Sequence, residues 1–215
     1  MRRQLILCAV LALAAPIATA QLTPMSPELK AFVMRPDQQK AVLAAMFSYW
    51  RSIMPDCPSP QLKQMNVLVE TAPSFDASGN PASGKWRMVG SVEGCGEAKT
   101  MNVLYGFGAD GNMMMVQMLP GTSHAELQLK KDAIFYARLG MTNLAPKDCK
   151  AIQIVDTKFL QYDETVPATM PGRGNRAWTE EWTVHACGVT GLVPMHFIPD
   201  ATGTTIHSEV LKTPK

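Results

Sequence analysis

"WTEEWTVHACG", Trp178 to Gly188, repeats in outline the earlier stretch "WRMVGSVEGCG", Trp86 to Gly96. Each begins with tryptophan and reaches Cys-Gly nine residues later. The tryptophans are offset by 178 − 86 = 92 positions, and the cysteines repeat that offset, 149 − 57 = 92 and 187 − 95 = 92. Without a gap, the same shift lays Gln61 on Gln153, Leu68 on Leu160, Val92 on Val184, Tyr105 on Phe197, Gly111 on Gly203 and Leu119 on Leu211. With only 4 Trp and 5 Cys in 215 residues, a shared register of these scarce types carries more weight than overall identity. Self-similarity at one period is read before any fold is assigned. The chain reads as an internal duplication, with repeat unit 1 at 21–120 and repeat unit 2 at 121–215.

The first twenty residues, "MRRQLILCAVLALAAPIATA", have a charged start, a short apolar run, a breaker at Pro16 and a small-x-small end at Ala18-Thr19-Ala20. That is the pattern of a cleaved secretory signal peptide, with processing expected between Ala20 and Gln21. Its apolar run falls short of the roughly 20 residues a membrane helix needs, and no later segment reaches that length. A periplasmic or secreted mature chain is expected, with no transmembrane segment. Removing Arg2 and Arg3 leaves 20 − 2 = 18 basic residues against 18 acidic ones. That balance gives no electrostatic drive toward nucleic acid.

Cys57, Cys95, Cys149 and Cys187 survive processing, an even number that in an exported chain points to disulfides with three possible pairings. Duplication favours one bridge per copy, Cys57 with Cys95 and Cys149 with Cys187. No CxxC occurs, so thiol-oxidoreductase and zinc-ribbon readings fall away.

Each unit is expected to open with a helix. Ser26-Pro27-Glu28 supplies an N-cap and a proline at the first helical position, and Pro36 breaks or restarts that helix. Over 37–54, Val42, Leu43, Met46, Trp50 and Ile53 keep one side. In the second unit Ser123 and Glu126 read as a capping box, with Gly140 as C-cap. Strands are expected at 64–71, 85–95, 100–107 and 112–119, and again at 153–162, 177–187, 192–198 and 204–211. Trp182, Val184, Ala186, Val193, Met195, Phe197, Ile206 and Val210 share one face. By analogy Met88, Val92, Met101, Val103, Tyr105, Met114, Val116 and Met118 share the other unit's inner face. Trp86, Trp178 and Trp182 anchor these cores, and an odd spacing along a strand places each Cys on the face opposite its Trp. The fold class is α+β, each copy a helix followed by a four-stranded antiparallel meander.

Chemistry is sparse. GxSxG, HExxH, P-loop and GxGxxG patterns are absent. Glu180 and Glu181 adjoin on a strand and so point to opposite faces, which makes a poor glycosidase pair. The methionines of "NMMMVQM" suggest copper, but packing is the expected role. His185, His196 and His207 recur every 11 residues on three successive strands. A turn at Thr190-Gly191 would set His185 opposite His196 and let the three converge on Zn²⁺ or Cu²⁺. No cofactor is otherwise implied. Missing catalytic motifs, a bridged scaffold and paired Gly/Pro loops, "SFDASGNPASG" and "TMPGRGN", lead to an expected non-enzymatic binding protein. Its partner would be another envelope protein, as for an inhibitor or immunity module. The alternatives are a metal- or small-ligand-binding protein using the three histidines, and an enzyme whose site the motifs do not reveal.

Overall fold

The computed structural model describes residues 24–165, 176–200 and 203–211. The expected leader and the loop 169–175, "TMPGRGN", lie outside the described residues. The first unit runs α1 (Pro27–Val33), α2 (Pro36–Ile53), β1 (Gln61–Thr71), β2 (Lys85–Gly94), β3 (Glu97–Phe107) and β4 (Met113–Gln117). The second runs α3 (Leu127–Gly140), β5 (Ile152–Tyr162), β6 (Trp178–Ala186), β7 (Val189–Pro199) and β8 (Thr204–Ser208). Each set of four strands is an antiparallel meander in sequence order, two separate sheets with a helical layer on one face.

Local chemistry starts the helices. The Ser26 hydroxyl accepts the Leu29 N–H at 3.2 Å, and Pro27 and Pro36 occupy the first helical positions, where an N–H has no intrahelical partner. Along α2, Val42, Met46, Trp50 and Ile53 recur at helical spacing and are buried, the first three in one core with the first sheet.

Duplication shows in detail beyond the repeated residues. Trp86 lies directly opposite Tyr105 with rings stacked at 5.1 Å, and Trp178 opposite Phe197 at 4.8 Å. Both first strands slip register at equivalent points, between Leu62 and Gln64 and between Ile154 and Asp156. Both disulfides form within their own unit, Cys57–Cys95 and Cys149–Cys187, with Cα–Cα distances of 5.9 and 5.8 Å.

The Cys-Gly pairs turn out to be turns. Cys95 and Gly96 have φ of 51° and 82°, and Cys187 and Gly188 of 48° and 85°. Positive φ at both central residues is the two-residue hairpin turn that matches the twist of its flanking strands. The left-handed region costs an L-residue roughly 1–2 kcal/mol. In each unit the disulfide pins that residue to the segment following the helix. The expected Trp-against-Cys parity is thereby corrected: Cys95 lies past the end of β2, and its partner Cys57 is buried in the same core as Trp86.

A second correction concerns β4. Met115 pairs with Tyr105 and Gln117 with Val103, so Met113, Met115 and Gln117 share the helix-facing side while Met114, Val116 and Met118 take the other. The loop before β4 has five residues, 108–112, and that before β8 has four, 200–203. One residue of difference inverts every side chain on the following strand. Ile206 therefore packs opposite Phe197, while Met114, its counterpart by offset, is exposed. Val210 lies beyond β8 and is also exposed.

Third, α3 begins at Leu127 rather than after Ser123, and Glu126 makes no side-chain cap. Ser123 instead accepts from the Ala125 N–H at 3.2 Å, because the segment is held by tertiary partners. Gly140 is the last helical residue, not the cap: a Cβ there would stand 2.4 Å from Val193 Cγ1. Glycine serves close packing of helix on sheet.

Candidate functional site

Between the units runs the segment Met118–Ala125, hydrogen-bonded to both. Met118 and Gly121 donate to the Asn102 and Thr100 carbonyls of β3, and Thr122 donates to the Thr157 carbonyl of β5. The Asn102 amide donates to Leu119 O and Gly121 O at 3.2 and 2.9 Å, and the Thr157 hydroxyl donates to Pro120 O at 2.6 Å. Gly121 has φ of 97°, and a Cβ there would fall 1.9 Å from Thr157 O. Only glycine passes this point. A second tie lies at α2, where the Tyr49 hydroxyl donates to Ile154 O at 3.1 Å.

The linker is also latched by a buried carboxylate. Strand parity puts Trp178, Glu180 and Trp182 on the same inward face of β6, and Glu180 is fully buried. Its Oε1 accepts from Trp178 Nε1 and the His124 N–H, both at 2.8 Å, and its Oε2 from Trp182 Nε1 at 2.7 Å. Three N–H donors satisfy a group whose burial alone would be prohibitive. Nearby Lys130 is 3% exposed, and no carboxylate among the described residues forms an ion pair with it. Burial, then the Arg87 charge, pull its ammonium down to about 8, against the opposing pull of Glu180 and Glu70.

Over this linker the two units leave an open cleft of about 840 Å³. One wall is the outer face of the first sheet, with Leu68, Arg87, Val89, Thr100 and Asn102; the other is the start of α3, with Glu126, Gln128, Leu129 and Asp132. Thr122, Ser123 and His124 form its base, and Tyr162 and Trp178 close one end. Glu70 holds Arg87 at 3.1 Å and Lys85 at 2.9 Å, while Arg87 Nε is buried without a partner. The first wall carries one charged lining residue, the Glu70-paired Arg87, and the second carries Glu126 and Asp132. At the rim the His124 ring stacks on Phe159 at 3.8 Å, the Tyr162 hydroxyl lies 3.3 Å from His124 Nδ1, and the Arg176 guanidinium covers Tyr162 at 4.4 Å. This arrangement offers amide, hydroxyl and charged groups of both signs for recognition.

The histidines highlighted by the sequence are placed elsewhere. All three project from the outer face of the second sheet, where Phe197 and Ile206 mark the inner one. The turn falls at Cys187-Gly188 rather than Thr190-Gly191, so His185 pairs with Thr190. His196 pairs directly with His207. Six residues of β7, roughly 20 Å at about 3.3 Å per residue, separate His196 from the residue opposite His185. The row does not converge. Among the described residues no three His, Cys, Asp or Glu side chains are gathered around one point. Trp86, Trp178 and Trp182 are 0%, 7% and 0% exposed. The loop 74–84 is built on Asp76, which accepts from the Ser78 and Asn80 N–H groups, with its carboxyl lowered by those bonds, Asn80 first.

Sequence reading did not find the cleft. Arg87, Asn102, His124 and Gln128 come from four separate segments, and no motif spacing joins them. One signal was available: Glu180 occupies an inward slot between two tryptophans, and an acid on an aromatic face demands partners.

Fold and site define a duplicated, disulfide-bridged α+β protein with a cleft of mixed polar and apolar lining between its copies. No known family matches the chain, and no curated protein matches it. Among the described residues no helix is long and apolar enough to cross a membrane, and two disulfides fit an oxidising compartment.

Proposed function

We propose that this is an exported binding protein that works without catalysis, and that the inter-unit cleft receives a segment of a partner protein of the cell envelope, in the manner of an inhibitor or immunity module. The observation that carries this reading is the cleft itself, assembled by both units on a linker bonded to each. An extended polypeptide presents N–H and C=O groups along its length, matching the hydroxyls of Thr100 and Thr122. Opposed Arg87 and Glu126/Asp132 walls suit a segment carrying both charge signs. Two bridges and the Glu180 latch keep the walls preorganised, which lowers the cost of binding.

The test places a photo-crosslinking residue at exposed Gln128 in the cleft or at exposed Lys40 on α2, in the native host. The expected result is one envelope protein captured from position 128 and not from 40, with capture reduced by Arg87→Glu. Equal capture from both positions, or capture indifferent to Arg87→Glu, overturns the reading.

A further inference from the structure

We propose that His196 and His207, with Glu209, form a surface site for a first-row divalent cation, Cu²⁺ in preference to Zn²⁺. It is independent of the cleft. The two histidines are register partners across β7 and β8 on the solvent face, because their neighbours Phe197 and Ile206 pair across the same ladder on the core face. Directly opposed residues have Cβ atoms roughly 4.5–5.5 Å apart. Imidazoles rooted at that spacing can share one ion at about 2.0–2.1 Å per bond.

Glu209 supplies the third ligand. Its N–H donates to Pro194 O at 3.1 Å, extending the ladder one step past β8 and holding Glu209 beside the His196 strand. Its Oε1 stands 3.2 Å from His196 Nε2. The three side chains do not yet surround one point, and His207 is exposed, so closing the chelate takes a rotamer change and no repacking. His196 and Glu209 are 36% and 65% exposed, which leaves the ion an open path and room for water on its remaining positions. Two imidazoles and one carboxylate form a borderline donor set. Such a set ranks Cu²⁺ above Zn²⁺, and oxygen-seeking Mg²⁺ and Ca²⁺ do not compete.

His185 is the internal control, on the same face but far along the sheet. The mature protein, free of any histidine tag, is titrated with CuCl₂ and with ZnCl₂ by calorimetry, and the Cu²⁺ form is read by electron paramagnetic resonance. One equivalent is expected, with nitrogen coupling in the copper spectrum. His196→Ala and His207→Ala each weaken binding by more than about tenfold, the scale of losing even a supporting contact at a metal site. Glu209→Gln weakens it less, and His185→Ala leaves it unchanged. All four positions are at least partly exposed, and unchanged circular dichroism verifies the fold of each variant. The proposal is overturned if the wild-type protein takes up neither ion saturably, if His185→Ala weakens binding as much as His196→Ala, or if His207→Ala has no effect.

Discussion

Replacing Glu180 tests the link between the second core and the linker. Its two oxygens accept two indole N–H groups and the His124 N–H, all at 2.7–2.8 Å, with no exposure to solvent. Glu180→Ala strands these donors and opens a cavity. A buried donor left unpaired costs about 1–3 kcal/mol. The His124 bond is only part-buried while both indole bonds are buried, so the two indoles set the scale: roughly 4 kcal/mol, or about 8–16 °C in Tm for a chain of this size. Glu180→Gln keeps one acceptor oxygen and turns an NH₂ toward the other donor, so about half that loss is expected. Glu180→Met copies the first unit, where Met88 stands at the equivalent position and Trp86 Nε1 is buried without a partner. Methionine restores volume but no acceptor, which places it between the other two. Urea titration with disulfides intact, followed by tryptophan emission, measures all three. If Gln costs as much as Ala, or if every variant stays within about 0.5 kcal/mol of wild type, the range of an ordinary surface change, then the carboxylate is not the acceptor described.

Three further outcomes follow from the geometry. Each disulfide closes a loop of 38 residues, so breaking either by Cys→Ala is expected to destabilise by about 4 kcal/mol on the loop-entropy account; a loss below about 1 kcal/mol in the denaturant midpoint would contradict it. Lys130 has its folded pKa depressed to about 8 from 10.5, so the unfolded chain binds more protons between those values and stability rises with pH across that window, by up to about 3 kcal/mol. Lys130→Met should stabilise the protein at pH 7 and flatten that rise, and a variant retaining the same slope between pH 7.5 and 9.5 refutes the assignment. Gly121→Ala sets a Cβ against Thr157 O in a left-handed position and should both destabilise the chain and speed proteolysis within 118–125; unchanged protease resistance would mean the linker is not held as described.

What the sequence made legible was whatever depends on local signals or on the 92-residue offset: the α1 cap at Ser26, the break at Pro36, eight strands, and one disulfide per copy. What it hid depends on tertiary capture or on loop length. Ser123-His124-Ala125-Glu126 matches a capping box, yet Thr157 and Glu180 draw the segment into the interface before the helix can start. The inner face of β4 is inverted relative to the offset because its loop is one residue longer than the loop before β8. The turn at Cys187-Gly188, which keeps His185 from His196, has no sequence signal because cysteine is an uncommon choice for a left-handed turn position that favours Asn, Asp or Gly.

The cleft was illegible for a further reason: it is made where the copies differ. Among its lining residues Arg87 corresponds by offset to Thr179, Asn102 to Pro194 and Gln128 to Pro36, and Glu180, which latches the linker, corresponds to Met88. The cores diverged with them. Gly90 leaves room for Met46 and Leu62, whose atoms stand 2.7 and 2.9 Å from where its Cβ would be, and Trp50 enters that core from the helix. At the matching position the second unit places Trp182, so its two core tryptophans both come from one strand, and Glu180 lies between them to accept both indoles. Asn102 bonds Leu119 and Gly121 and so anchors the linker that leads into the second unit, whereas the matching position of the second sheet holds Pro194, which has no side-chain amide. Repetition thus built two similar supports, and the residues that occur once turned the space between them into a site.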